Sequence, residues 1–228
     1  MKVLLTGAGS GIGQAVADAL HARGDALVLL ARSEERAADL GERYAGADVR
    51  VADLAAPQDL ANAVAGLDSL DAVVHAAGVI ELGPLADQPL AHVTDQLTVN
   101  LVAPAELTRA TLPAVRAAGG TVVFLNSGAG LTAHPEWSAY AASKFGLRAI
   151  ADSLRGEETG AGAGVRVTSV YLGRIATPMQ QKVHEQEGKA YDAGDWATPE
   201  AVAATILHVL DLPRDVTITD VTVRPGPH

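Results

Sequence analysis

Four glycines fall within seven residues near the start of this chain, in the run Thr6-Gly-Ala-Gly-Ser-Gly-Ile-Gly13. A short apolar run precedes them, and alanine and leucine at helical spacing follow. A strand that ends at Thr6 must therefore turn sharply into a helix. Glycine permits positive φ there and lets another backbone or a ligand come close. The helix start adds unpaired N–H groups and the positive end of its dipole. That combination suits the pyrophosphate of a dinucleotide, with Gly7, Ser10, Gly11, Ile12 and Gly13 as its expected lining. The spacing Gly7-x-x-x-Gly11-x-Gly13 is neither G-x-G-x-x-G nor a P-loop. A tight turn that binds nothing is the plainer alternative, but it needs fewer glycines.

The rest of the chain repeats the alternation. Strands are expected at 2–6, 26–31, 49–52, 70–75, 121–126, 165–170 and 216–221. Helices are expected at 12–23, 34–44, 57–65, 90–100, 103–118, 137–159 and 199–210. Strands alternating with helices imply βαβ units. The strands are continuous apolar runs, as expected when helices cover both faces. The expectation is an α/β fold: a single-domain Rossmann-type doubly wound parallel sheet of about seven strands, spanning 1–228. The segment 178–197 is polar and poorly periodic, and is expected to be a mobile substrate loop.

Composition narrows the function classes. A formal net charge of −10 disfavours nucleic acid and anionic membranes as partners. No cysteine is present, which excludes disulfides, thiolate metal sites and cysteine nucleophiles. No metal is expected. The first apolar run leads straight into glycines, and no apolar stretch approaches membrane-spanning length, so neither an export signal nor a membrane helix is expected. A cytoplasmic protein fits these features.

The end of the second strand bears on the kind of dinucleotide. NAD-binding folds commonly place an acid there for the ribose 2′-hydroxyl. Here Arg32 and Ser33 follow Ala31 instead. Arginine suits a 2′-phosphate, so NADP(H) is expected over NAD(H). A solvated arginine is the alternative. Asp53, after the third strand, is placed to meet the adenine, or to serve the helix start at Pro57.

Tyr140 and Lys144 are four apart on the long helix and share a face. A free tyrosine is a poor base at neutral pH. A nearby ammonium favours the phenolate and lowers its pKa, which gives a route to acid–base work. Ser127 follows the fifth strand, at the sheet edge where such folds bind ligands. Each of the three has a bland alternative alone; together they describe a proton-transfer site.

These pieces resemble the short-chain dehydrogenase/reductase family over nearly the whole chain. The residues carrying the likeness are Thr6–Gly13, Asp53-Leu54, His75-Ala-Ala-Gly78, Asn100, Ser127, Tyr140, Lys144 and Leu172-Gly-Arg-Ile-Ala-Thr177. The C-terminal part is also similar, more loosely, to bacterial NADP-dependent 3-hydroxy acid dehydrogenases. The resemblance implies that Tyr140 donates the proton in ketone reduction and Lys144 holds the nicotinamide ribose. It implies that Ser127 orients the substrate oxygen and Asn100 fixes a water beside Lys144. Ile175 and Thr177 would meet the carboxamide end of the cofactor, with Leu54, Ala76 and Gly78 on the adenosine side.

The implied activity is that of a carbonyl reductase or alcohol dehydrogenase acting on a small or medium ketone, aldehyde or secondary alcohol. The implied pocket comprises Ile80, Glu81, Ala129, Leu131, His134, Trp137, Leu172 and Met179, and Arg174 could meet a substrate carboxylate. A homodimer or homotetramer built on the helices of Asn100 and Tyr140 is also implied. The chain departs from the family pattern at His75-Ala76, where two asparagines are usual, and at Leu172, where proline is usual. A catalytically silent NADP(H)-binding regulator is the alternative reading.

Overall fold

Alternate residues of one strand go to opposite cores, which is why the strands read as unbroken apolar runs. In β1 (Lys2–Thr6), Val3 and Leu5 join one buried cluster and Leu4 joins another. The computed structural model describes residues 1–226. Its seven-stranded sheet has the order β3-β2-β1-β4-β5-β6-β7, and every neighbouring pair is parallel. The further strands are β2 (Ala26–Ala31), β3 (Asp48–Val51), β4 (Ala72–His75), β5 (Thr121–Ser127), β6 (Arg166–Leu172) and β7 (Asp220–Val223). The doubly wound Rossmann-type fold is thus as expected.

One face is covered by α1 (Gly11–Ala22), α2 (Glu34–Arg43) and α8 (Pro199–Leu210), through residues such as Val16, Leu40 and Ile206. The other is covered by α3 (Leu60–Ala63), α5 (Ala103–Ala118) and α6 (Ser138–Ala161), through Leu60, Leu107 and Leu147. The chain reverses direction across the sheet between β1 and β4, and that switch point is where such sheets open a crevice.

Three local readings change. The helices expected at 90–100 and 103–118 are joined: α4 (Leu90–Leu97) runs through a π-helical turn, Thr98–Val102, into α5. The last strand lies later than 216–221. The first half of the 178–197 segment is a helix, α7 (Pro178–Gln186). Its start signal is local: Thr177 accepts a hydrogen bond from the Gln180 amide at 3.2 Å, and Pro178 takes the first-turn position. The polar face of α7 hid the helical period.

Candidate active site

The carboxyl ends of β4 and β5 deliver the central residues, and α6 brings two more beneath them. Ser127 is the last residue of β5, and its hydroxyl accepts from the Ala129 amide at 3.1 Å. The same hydroxyl neighbours the Tyr140 phenol and works to lower its pKa. Lys144 lies one turn along α6, with Nζ 5.8 Å from the centre of the Tyr140 ring. Its ammonium is buried and donates to the Leu125 carbonyl at 2.9 Å.

Asn100 sits in the π-helical turn, fully buried. Its Nδ2 donates to the Val79 carbonyl at 2.9 Å and to Ser143 Oγ at 3.1 Å, while Oδ1 accepts from the Val79 amide at 2.8 Å. Ser143 Oγ donates in turn to the Tyr140 carbonyl at 2.7 Å. A Cβ on Gly78 would lie 3.3 Å from Asn100 Oδ1 and 4.0 Å from Lys144 Nζ. The four residues singled out in the sequence therefore converge. The turn that carries Asn100 comes close to α6 at Gly146, where a Cβ would press on Leu101.

The electrostatics differ from the simple expectation. Burial pushes the Tyr140 phenol up to about 12, with the neighbouring Ser127 hydroxyl opposing it. Burial pushes Lys144 down to about 8. Desolvation of both groups thus outweighs the depression expected of a tyrosine beside an ammonium. At neutral pH the phenol keeps its proton and the lysine is mostly charged.

The glycine loop lies beside this cluster. Gly7 and Gly11 have φ of 78° and 54°. A Cβ on Gly7 would sit 2.8 Å from the Ala77 amide, and one on Gly13 would collide with the Gly7 carbonyl. A Cβ on Gly11 would be 3.2 Å from Thr177 Cγ2, which brings Thr177 to the loop. Ser10 is the N-cap of α1 but makes no side-chain cap bond, which leaves first-turn amides of α1 without that partner. A close-approach cradle with uncapped amides fits a pyrophosphate. Arg32, exposed at the end of β2, forms no hydrogen bond or ion pair among the described residues.

A family model described as short chain dehydrogenase matches residues 1–188. The chain belongs to the short-chain dehydrogenase family. It is 28% identical to an uncharacterised oxidoreductase of Staphylococcus epidermidis, over 97% of this chain and 96% of that protein. A short-chain dehydrogenase/reductase from Vibrio parahaemolyticus superposes with a TM-score of 0.86 at 28% identity, covering 99% of this chain and 98% of that one. A metagenomic short-chain oxidoreductase in complex with NADP gives a TM-score of 0.82 at 28% identity, covering 100% and 98%.

Within this short-chain dehydrogenase the expected pocket residues divide. Ile80 and Ala129 are buried in one apolar cluster with Tyr140, Ala141 and Val183, and Trp137 and Met179 pack against it. Beside them lies an open groove of about 280 Å³ lined by Gly78, Val79, Ile80, Pro178, Met179 and Lys182. Leu131 and His134 are exposed, His134 with its ring 6.5 Å from Trp137. Leu172 does not join the Tyr140 cluster. Its side chain packs against the core under α1 and α8, which also receives Ile12 and Ala76. Leu54 packs into the opposite core, under α5.

Arg174 is not free for a substrate carboxylate. It grips both oxygens of Glu187, at 2.7 and 3.0 Å, and lies over the Trp196 ring at 5.6 Å. Asp53 accepts from the Ala55 amide at 2.9 Å and shapes its own turn. Ile175 is buried and bridges to Ala197. His75 is structural: its ring stacks on Phe124 at 4.8 Å and bonds Thr108 Oγ1 at 2.9 Å. Among the described residues, no three His, Cys, Asp or Glu side chains gather as a metal site, and no helix is long and apolar enough to cross a membrane.

Two contributors escaped the sequence reading. Asn126 accepts from the Ser127 amide at 2.8 Å and donates to the Lys144 carbonyl at 3.1 Å. Ser143 links Asn100 to the Tyr140 backbone. A polar residue closing the apolar run of β5 was the available signal for Asn126.

Proposed function

We propose that this short-chain dehydrogenase is an NADP(H)-dependent carbonyl reductase or alcohol dehydrogenase for a small or medium ketone, aldehyde or secondary alcohol. The single observation that carries the reading is the convergence of Tyr140 with Ser127 and with Lys144 beneath its ring, next to a glycine cradle. Bound NADPH would supply the hydride to the carbonyl carbon. Gly7, Ser10, Gly11, Ile12 and Gly13 would hold its pyrophosphate, and Ala76, Gly78, Ile175 and Thr177 its flanks. Arg32 would take the 2′-phosphate, and Asp53 with the Leu54 backbone the adenine. The relative in complex with NADP supports that choice.

The protein's own part is positioning and proton transfer. Ser127 would hold the substrate oxygen in line with Tyr140. Tyr140, which burial keeps protonated at neutral pH, would donate its proton to that oxygen as the carbonyl is reduced. The Lys144 ammonium would stabilise the phenolate left behind and hold the cofactor ribose. Asn100 ties Val79 to α6 through Ser143, beside Lys144. The 178–197 segment would form the substrate-side cover. We further assign residues 1–228 to one domain and a cytoplasmic setting to it. A homo-oligomer on α4, α5 and α6 is supported by the exposed apolar Leu90, Val102 and Phe145 on or beside those helices.

The test is NADPH oxidation against a panel of 3-oxo acids, cyclic ketones and aryl ketones, with NADH in parallel. Consumption of NADPH with at least one carbonyl class is expected. No turnover with any class, despite saturable NADPH binding, would favour the regulator reading instead.

A further inference from the structure

One wall of the groove beside Tyr140 carries a cation, Lys182, and that cation is already taken. Glu81, from the loop after β4, forms an ion pair with Lys182 on α7. The carboxylate also accepts from Gln186 Nε2 at 2.6 Å. Gln186 Oε1 in turn accepts from the Leu82 amide at 3.2 Å. The backbone of Glu81 is pinned as firmly. Its amide donates to Gln96 Oε1 at 3.1 Å. Its carbonyl accepts from Gln96 Nε2 at 3.1 Å and Gln88 Nε2 at 2.8 Å. Gln96 is fully buried.

An exposed ion pair contributes little to stability. This one is held at its Glu81 end by neutral amides, so its consequence is placement of charge. Burial alone would raise the Glu81 carboxyl, but the bonds from Lys182 and Gln186 overcome it and hold it below the usual carboxylate value. The second cation near α7, Arg174, is likewise held by Glu187 and Trp196. An anionic substrate reaching the groove meets an ionised carboxylate and no unpaired cation on α7.

We infer that Glu81 is a specificity-determining residue of this site: by neutralising Lys182 at the groove, it selects uncharged carbonyl substrates over those bearing a carboxylate. The inference rests on the hydride-transfer reading proposed above. It departs from the looser likeness to hydroxy-acid enzymes, which would call for a cation free to hold the acid.

The test pairs 3-oxo acids with their methyl esters and follows NADPH oxidation for wild type, Glu81→Gln and Lys182→Gln. Wild type is expected to favour each ester by about tenfold or more in kcat/KM. Glu81→Gln leaves Lys182 unpaired and should shrink that ratio by about tenfold, mainly through a lower KM for the acid, with the gain fading at high salt. Lys182→Gln should leave the acid disfavoured. Ester turnover in each variant reports that it is folded. A wild-type preference for the acids, or a ratio unmoved in Glu81→Gln, overturns the inference and leaves hydride transfer standing. Absence of turnover with every pair, while cyclic or aryl ketones are reduced, removes the inference and leaves hydride transfer standing; absence of turnover with every carbonyl class removes both.

Discussion

Asn126 and Lys144 are joined across the junction of sheet and helix: the Asn126 side-chain amide donates to the Lys144 backbone carbonyl at 3.1 Å. The same side chain accepts from the Ser127 amide. One buried group thus fixes Ser127, which neighbours the tyrosine, and the helix turn that carries the lysine. Asn126→Ala leaves these partners unsatisfied, at about 1–3 kcal/mol. Turnover should fall roughly ten- to a hundredfold with a smaller change in KM. Steady-state kinetics beside a thermal melt check this, and a variant with full kcat would show that the bridge does not position the site.

Removing the Tyr140 hydroxyl tests the proton donor itself. Tyr140→Phe keeps the buried ring and its place over Lys144. Turnover should drop by about 10²–10⁴-fold while NADPH fluorescence titration is unchanged. A variant that turns over at the wild-type rate would assign the proton to another group.

The acid side of the stability profile depends on His75. Burial, with the Lys144 charge adding to it, pushes His75 down to about 3. An unfolded histidine takes its proton near 6.5. Between those values the unfolded chain binds more protons, so stability rises with pH across that window and is lost as pH falls from 6.5 toward 3. His75→Asn should make this loss less steep in melts recorded from pH 7 to 4. An unchanged slope would place the acid sensitivity elsewhere.

Cofactor preference tests Arg32. It stands exposed where β2 ends, without an acidic partner among the described residues. Charge-assisted bonds contribute about 1.5–3 kcal/mol, so Arg32→Ala should raise the KM for NADPH roughly ten- to a hundredfold. The KM for NADH should hardly move. Equal changes for both would mean that Arg32 does not read the 2′-phosphate.

The glycine loop admits a steric test. A methyl group on Gly13 would collide with the Gly7 carbonyl oxygen. Gly13→Ala should cost about 1–3 kcal/mol in stability and abolish saturable NADPH binding. Gly9→Ala, whose Cβ meets nothing within 4 Å, should be tolerated. Both variants behaving alike would remove the close-approach argument.

The local sequence determined the sheet, the glycine turn and the Tyr140–Lys144 face, because each follows from residue type at short spacing. Val3, Leu4 and Leu5 are all apolar because both faces of β1 are covered, and a four-residue step on a helix always shares a face. The Thr177-Pro178 start of α7 was legible too, but the polar face beyond it masked the helix. Only the tertiary structure decided which groups meet across the chain. Asn100 bonds Val79 from 21 residues away, and Lys182 reaches Glu81 across 101. Such pairs leave no periodic trace, since their geometry is set by the packing of whole helices on the sheet. Packing also turned Leu172 toward the α1 core and gave Arg174 to Glu187. The burial that pushes Tyr140 and Lys144 away from their ordinary ionisation exists only once the sheet, α6 and the π-helical turn close around them.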